Sequence, residues 1–293
     1  MIRPHGIIPA LVTPLHEDET LNEAALRRLV RHLIEGGVHG LFVLGSQGEF
    51  WAFDPEEKRR ILEAVVEEAG GSVPVYGGTA GVTTRETIAL TRMAEQAGVD
   101  GVSIVTPFFV SPSQQELYEH YAAIAAATAL PILLYNNPTR TGVNLAAETV
   151  ARLAELENIV GVKDSSGNLS LTAAYVHATP ESFAVLMGQD TLILAGLLYG
   201  CVGAVAATAN VLPRLVVEIY ERFQAGEVAG AKRAQERLAT LRDAFGWGTF
   251  PVVIKEAANM LGLEAGPARR PVGPLSEDAR GKLAQLLRDL EAL

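Results

Sequence analysis

The sequence Asn158-Ile159-Val160-Gly161-Val162-Lys163-Asp164-Ser165-Ser166-Gly167-Asn168 decides how the rest of the chain is read. Residues 159–162 are apolar or small, a short buried-strand signal that runs directly into Lys163 before Ser165, Ser166 and Gly167 form a turn. A helical pattern over residues 169–177 follows. Strand, turn and helix in such close succession form the repeating unit of a parallel α/β fold.

The same unit recurs on both sides. Strands are expected at residues 6–12, 40–44, 73–77, 101–105 and 131–135 upstream, and at 183–187 and 203–207 downstream. Helical patterns over 22–35, 54–69, 83–96, 113–127, 146–156, 191–199 and 211–223 alternate with them. Asp54 followed by Pro55 and Glu57 carries both the cap and the capping-box position that start the second of these helices. Eight strand–helix pairs read as a (β/α)8 TIM barrel. The rival is an open doubly wound sheet, but no GxGxxG follows any strand, as its dinucleotide-binding form requires.

Beyond residue 223 the pattern is purely helical, over 228–244, 252–261 and 276–290. No Pro/Gly/Ser-rich or charged linker separates the two parts. Residues 1–224 are therefore read as the barrel, and 225–293 as a C-terminal helical extension of the same domain.

Composition narrows the function. A net charge of −10, with no basic stripe, gives nucleic-acid binding no support. Cys201 is the only cysteine, which rules out an internal disulfide and a cysteine-rich metal site and fits a reducing, cytoplasmic compartment. His5, His16, His32, His39, His120 and His177 show no metal-ligand spacing, so no catalytic metal is expected. Pro4, Pro9 and Pro14 interrupt the first residues, which do not read as a signal peptide. The uncharged stretch 191–213 has the length of a membrane span, but Gly196, Gly200 and Gly203 punctuate it. It reads as a buried helix followed by a buried strand, and no membrane partner is expected.

In a barrel of this kind, function collects at the carboxyl ends of the strands. Those ends bring together Gly45 to Glu49, Thr106 to Phe109, Tyr135 to Gly142, Lys163, and Gly188 to Asp190. Of the five lysines, Lys58, Lys232, Lys255 and Lys282 fall in helical patterns, and only Lys163 falls in an apolar strand. Desolvation there favours the neutral, nucleophilic amine that imine chemistry on a ketone requires. The plainer alternative is a strand-end lysine reaching into solvent. Tyr135 ends the neighbouring strand, where its phenol can move protons for steps at the lysine or simply be held by a neighbour. Gly45-Ser46-Gln47-Gly48 can be a tight turn or an anion nest to which the Ser46 hydroxyl adds a donor. Arg140 offers a fork for a carboxylate. Glu49 reads as a loop-holding carboxylate rather than a general base.

These segments resemble a known family. Gly45-Ser46-Gln47-Gly48-Glu49, Tyr135-Asn136-Asn137-Pro138-Thr139-Arg140-Thr141-Gly142 and Gly161-Val162-Lys163-Asp164, with Thr106-Pro107 and Ala207-Thr208-Ala209-Asn210, are similar to the dihydrodipicolinate synthase / N-acetylneuraminate lyase family. The resemblance covers nearly the whole chain. It implies a Schiff-base lyase in which Lys163 forms an imine with pyruvate, Tyr135 and Ser46 assist proton transfer, and the Ser46–Gln47 backbone holds the carboxylate. It places Val205 near the pyruvate-derived group and implies an aldehyde as second substrate, no cofactor and a homotetramer. Synthases of the family carry a threonine pair at Ser46-Gln47 and a tyrosine at Phe109 that completes a hydroxyl relay with the neighbouring subunit. Phe109 has no hydroxyl. The run from Gly40 to Phe50 and that from Pro251 to Glu256 look closer to 2-keto-3-deoxy sugar acid and 4-hydroxy-2-oxoglutarate aldolases, whereas Pro138-Thr139-Arg140-Thr141-Gly142 looks closer to the synthases that bind aspartate semialdehyde. The expectation is an aldolase on a 2-keto-3-deoxy sugar acid or 4-hydroxy-2-oxo acid. The alternatives are 4-hydroxy-tetrahydrodipicolinate synthase, an imine-forming deoxy sugar acid dehydratase, and a non-catalytic 2-oxo acid sensor.

Overall fold

The structure is a computed structural model that describes residues 2–293. Eight strands form one parallel sheet: β1 (Gly6–Pro9), β2 (Leu41–Val43), β3 (Val75–Gly78), β4 (Gly101–Val105), β5 (Ile132–Asn136), β6 (Ile159–Asp164), β7 (Ala184–Met187) and β8 (Gly203–Ala206). They pair in the order β1-β8-β7-β6-β5-β4-β3-β2, and a parallel bridge between Ala10 and Phe42 closes the ring. Nearly every strand residue is buried, because side chains of one parity fill the barrel and those of the other meet the helices.

The helices start where the sequence places caps. Asp54 accepts from the Glu57 amide at 2.8 Å while the Glu57 carboxylate accepts from the Asp54 amide at 2.9 Å, a complete capping box. Ser113 and Glu116 build the same box on the helix Gln114–Ala125. Asn168 caps Leu169–Ala178 through its side-chain oxygen.

Three local expectations are corrected. The first strand stops at Pro9 instead of residue 12: only the Ala10–Phe42 bridge continues it, and the Val12 amide is taken by the Asn210 side-chain oxygen at 3.0 Å. The loop after β5 coils into the short helix Pro138–Thr141, whose proline supplies the first helical φ. Residues 191–199 divide into the 3-10 turn Asp190–Leu192 and the helix Ile193–Leu198. Among the described residues no helix is long and apolar enough to cross a membrane.

The C-terminal helices Val228–Asp243, Val252–Met260 and Glu277–Asp289 are bound to the barrel by buried polar groups as well as by packing. The Lys255 ammonium, fully buried, donates to the Thr13 carbonyl and to a Glu49 carboxylate oxygen, both at 2.9 Å. The other Glu49 oxygen accepts from the Arg269 amide at 2.8 Å. Gln235 donates to the Asp190 carbonyl at 2.9 Å and accepts from the Leu194 amide at 3.0 Å.

Candidate active site

Lys163 is the fifth residue of β6 and pairs in register with Tyr135 of β5. Residues in register on neighbouring parallel strands point to the same face, so both side chains enter the barrel mouth. The Lys163 ammonium lies 4.0 Å from the centroid of the Tyr135 ring and 4.9 Å from that of Phe42. Lys163 is 4% exposed and makes no hydrogen bond or ion pair among the described residues.

The next residue explains why the amine is left free. Asp164 points to the opposite face, where its carboxylate accepts from the Ser166 amide, the Thr172 hydroxyl at 2.6 Å and the Asn136 side chain at 3.1 Å. A carboxylate adjacent in sequence is thereby spent on the turn and on the helix that follows it. Burial alone does not single out Lys163, because Lys255 and Lys58 are buried too. Lys255 is held by Glu49 and Thr13, and Lys58 lies on the outer helix Pro55–Ala69. Only Lys163 combines burial, an unpaired amine and the barrel mouth.

The Tyr135 phenol accepts a hydrogen bond from the Asn137 side chain at 2.8 Å. Burial raises its pKa, but the neighbouring Lys163 charge and hydrogen bonds with Ser46, Ser165 and Asn137 outweigh that, and the pKa lies below that of an ordinary phenol.

Between β2 and the helix that follows, the backbone of the glycine-bounded loop is bracketed by two left-handed residues, Leu44 at φ +56° and Glu49 at φ +57°. That conformation is costly for a residue with a Cβ. It is held by the buried Glu49–Lys255 pair and by bonds to the Gly45 carbonyl from the Gly48 and Phe50 amides. The amides of Ser46 and Gln47 have no acceptor among the described residues, which leaves two donors for an anion. The Gln47 carboxamide, 2% exposed, also leaves both of its polar atoms unpartnered. Glu49 does hold this loop, as its sequence position suggests.

Lys163, Tyr135, Ser46, Gln47, Arg140, Gly188 and Val205 line one cavity of about 390 Å³. Gly188 also has a packing reason to be glycine, since a Cβ there would sit 2.1 Å from the Ser165 hydroxyl oxygen. That hydroxyl donates to the Gly188 carbonyl at 3.1 Å. Phe109 is the exception among the expected positions. It stands outside the cavity, 97% exposed and at φ +72°, with its ring projecting from this chain.

Asn137 and Gln189 fall within the strand ends read from the sequence, whereas Ser165, Arg242, Phe245 and Phe250 in the cavity wall were not anticipated. Ser165 lies beside the strand end at Lys163 and was within reach of the barrel rule. The last three come from the C-terminal extension, whose helical periodicity says nothing about which barrel face it covers.

Fold and cavity together describe a barrel lyase of the Schiff-base type, with a buried unpaired amine beside a tyrosine. The chain belongs to the dihydrodipicolinate synthetase family, whose model matches residues 3–290. It is 40% identical over 290 residues to a 4-hydroxy-tetrahydrodipicolinate synthase of Methanopyrus kandleri, covering 98% of this chain and 97% of that one. It is 40% identical over 289 residues to an uncharacterized DapA-like lyase of Halobacterium salinarum, covering 99% and 95%. Among solved structures, it matches YagE, an Escherichia coli K12 prophage protein of the dihydrodipicolinic acid synthase family in complex with pyruvate. That match has a TM-score of 0.94 and 33% identity, covering 99% of each chain.

Proposed function

We propose that the chain condenses pyruvate with aspartate semialdehyde, as a 4-hydroxy-tetrahydrodipicolinate synthase does. The observation that carries the imine chemistry is the buried, unpaired Lys163 amine in register with Tyr135. The amine attacks the ketone carbon of pyruvate, and water leaves as the imine forms. Loss of a methyl proton gives the enamine, whose carbon attacks the aldehyde; the amino group of the semialdehyde-derived part then adds to the re-formed imine carbon and expels the Lys163 amine, which closes the ring and frees the lysine. Tyr135, with Ser46 beside it, passes the protons, and the free Ser46 and Gln47 amides receive the carboxylate.

The choice of aldehyde revises the reading made from sequence, which favoured a 2-keto-3-deoxy sugar acid. The name of the Methanopyrus relative supports the synthase, and so does Arg140 at the cavity wall, where a guanidinium can take a substrate carboxylate. Two observations favour the sugar-acid aldolase as second reading. The unpartnered Gln47 carboxamide is a donor and acceptor suited to hydroxyl groups, and Phe109 supplies no hydroxyl for the relay that the synthase chemistry uses. The exposed Phe109 supports a homotetramer in which it faces a neighbouring copy, and the single cysteine supports a cytoplasmic setting.

Steady-state kinetics on both reactions separate the readings. Turnover of pyruvate with aspartate semialdehyde at a kcat/KM at least tenfold above retro-aldol release of pyruvate from 2-keto-3-deoxygluconate is expected. The reverse ranking would return the aldolase to first place. Loss of water from a deoxy sugar acid without pyruvate release would identify the dehydratase, and saturable binding without turnover the sensor.

A further inference from the structure

Arg242 enters the cavity from the end of the helix Val228–Asp243, outside the barrel proper. Its guanidinium donates to the Gln189 side-chain oxygen at 3.1 Å and stacks 4.4 Å from the Phe245 ring centroid. Gln189 in turn donates to the Ser165 carbonyl at 3.3 Å, two residues from Lys163. Arg140 stacks in the same way, 4.2 Å from the Phe250 ring centroid. Neither arginine faces a carboxylate among the described residues, although the chain carries 34 acidic side chains and many of its surface arginines are paired.

The local balance of charge is therefore opposite to that of the molecule. Lys163, Arg140 and Arg242 line the cavity, and Asp190 is its only acid. Asp190 is turned toward Thr208, whose amide at 2.7 Å and hydroxyl at 2.5 Å both donate to one of its carboxylate oxygens, and it pairs with neither arginine. After an imine has formed at Lys163 and pyruvate's carboxylate has been taken by the Ser46–Gln47 loop, two aromatic-braced guanidinium forks still lack an anion. Stacking on a phenylalanine orients an arginine while leaving its N–H edge free.

We propose that Arg242 determines specificity for the second substrate, forming with Arg140 a clamp that selects an aldehyde bearing a carboxylate away from its reacting carbonyl. The inference rests on the Schiff-base reading for the place of the aldehyde, but the clamp itself is a feature of the unliganded site. Arg242 neither forms the imine nor touches pyruvate.

The test compares wild type with Arg242→Gln and Arg242→Lys, using succinate semialdehyde as anionic aldehyde and butanal as neutral one. Arg242→Gln is expected to raise KM for succinate semialdehyde about tenfold, while kcat, KM for pyruvate and KM for butanal stay within twofold; Arg242→Lys recovers part of the loss. An equal loss with both aldehydes, or a change in KM for succinate semialdehyde below twofold, would overturn the proposal. Ligand-observed NMR on the full chain with butyrate and butyramide reads the clamp without turnover. Wild type is expected to bind butyrate at least about fivefold more tightly than butyramide, and Arg242→Gln to show a clearly smaller preference, because Arg140, Lys163 and the Ser46–Gln47 amides still attract the anion; an unchanged preference in the variant would overturn the clamp. Equal binding by wild type would also overturn the clamp. Failure of the imine reading is separate: it shows as the absence of a reducible pyruvate adduct and leaves the butyrate comparison intact.

Discussion

We propose Lys163 as the nucleophile because its neighbours are aromatic faces and not carboxylates. The side-chain nitrogen sits over the Tyr135 and Phe42 rings, 4.0 Å and 4.9 Å from their centroids, with no ion pair among the described residues. Tyr135→Phe keeps the ring and removes the phenol, so kcat is expected to fall about 10² to 10⁴-fold, the range of general acid–base catalysis, in steady-state assays. His120 tests the electrostatics of the scaffold. Burial lowers its pKa from 6.5 to about 4 while its Nδ1 stays 2.9 Å from the Thr84 hydroxyl. As pH falls from 7 to 5 the unfolded chain takes up a proton that the folded chain refuses, so folding stability falls, by about 2 kcal/mol from this group. Urea unfolding at the two pH values should show a smaller loss in His120→Gln than in wild type. Lys163 was legible because a lone lysine in an apolar strand breaks the pattern around it. The carboxylate beside it was not, since only the period-2 alternation of a real strand reveals that Asp164 points away.

At the scale of elements, the site is a set of strand ends held at one level. The register that pairs Tyr135 with Lys163 also pairs Val105 with Tyr135, so neighbouring strands deliver side chains to one plane. The left-handed loop from Leu44 to Glu49 is held down by the Glu49–Lys255 pair, in which both side chains are about 1% exposed. Glu49→Gln leaves the Lys255 charge buried and half-solvated by the Thr13 carbonyl. Its expected cost is about 3–5 kcal/mol in urea unfolding, with a raised KM for pyruvate as the Ser46 and Gln47 amides lose their fixed position. A Glu49→Leu, Lys255→Met double variant, which removes both charges, should be less destabilised. The strands and most helices were legible because apolar runs and caps such as Asp54-Pro55-Glu57 are local signals. The loop conformations were not. Nothing in Leu44 announces a left-handed backbone, whose cause is contacts from residues more than two hundred positions away.

For the whole molecule, the C-terminal extension is part of the enzyme rather than an appendage. It supplies the Lys255 partner that holds the loop after β2, the Gln235 contacts to Asp190 and Leu194, and the Arg242, Phe245 and Phe250 side of the cavity. We therefore propose that residues 1–224 and 225–293 unfold together, as one domain. Thermal unfolding followed by tryptophan fluorescence, which reports Trp51 in the barrel and Trp247 in the extension, should coincide with that followed by far-UV circular dichroism. A separate early transition of the extension would contradict this. The barrel itself was legible from eight repeats of one pattern, but which face the extension covers depends on tertiary contacts that leave no periodic trace.

The most direct measurement is borohydride reduction of the protein with pyruvate, followed by intact mass and peptide mapping, with Lys163→Ala as control. One reduced pyruvate on Lys163 in wild type and none in the folded variant is the expected result. A folded wild-type protein that traps no pyruvate, or traps it on another lysine, would contradict the imine mechanism.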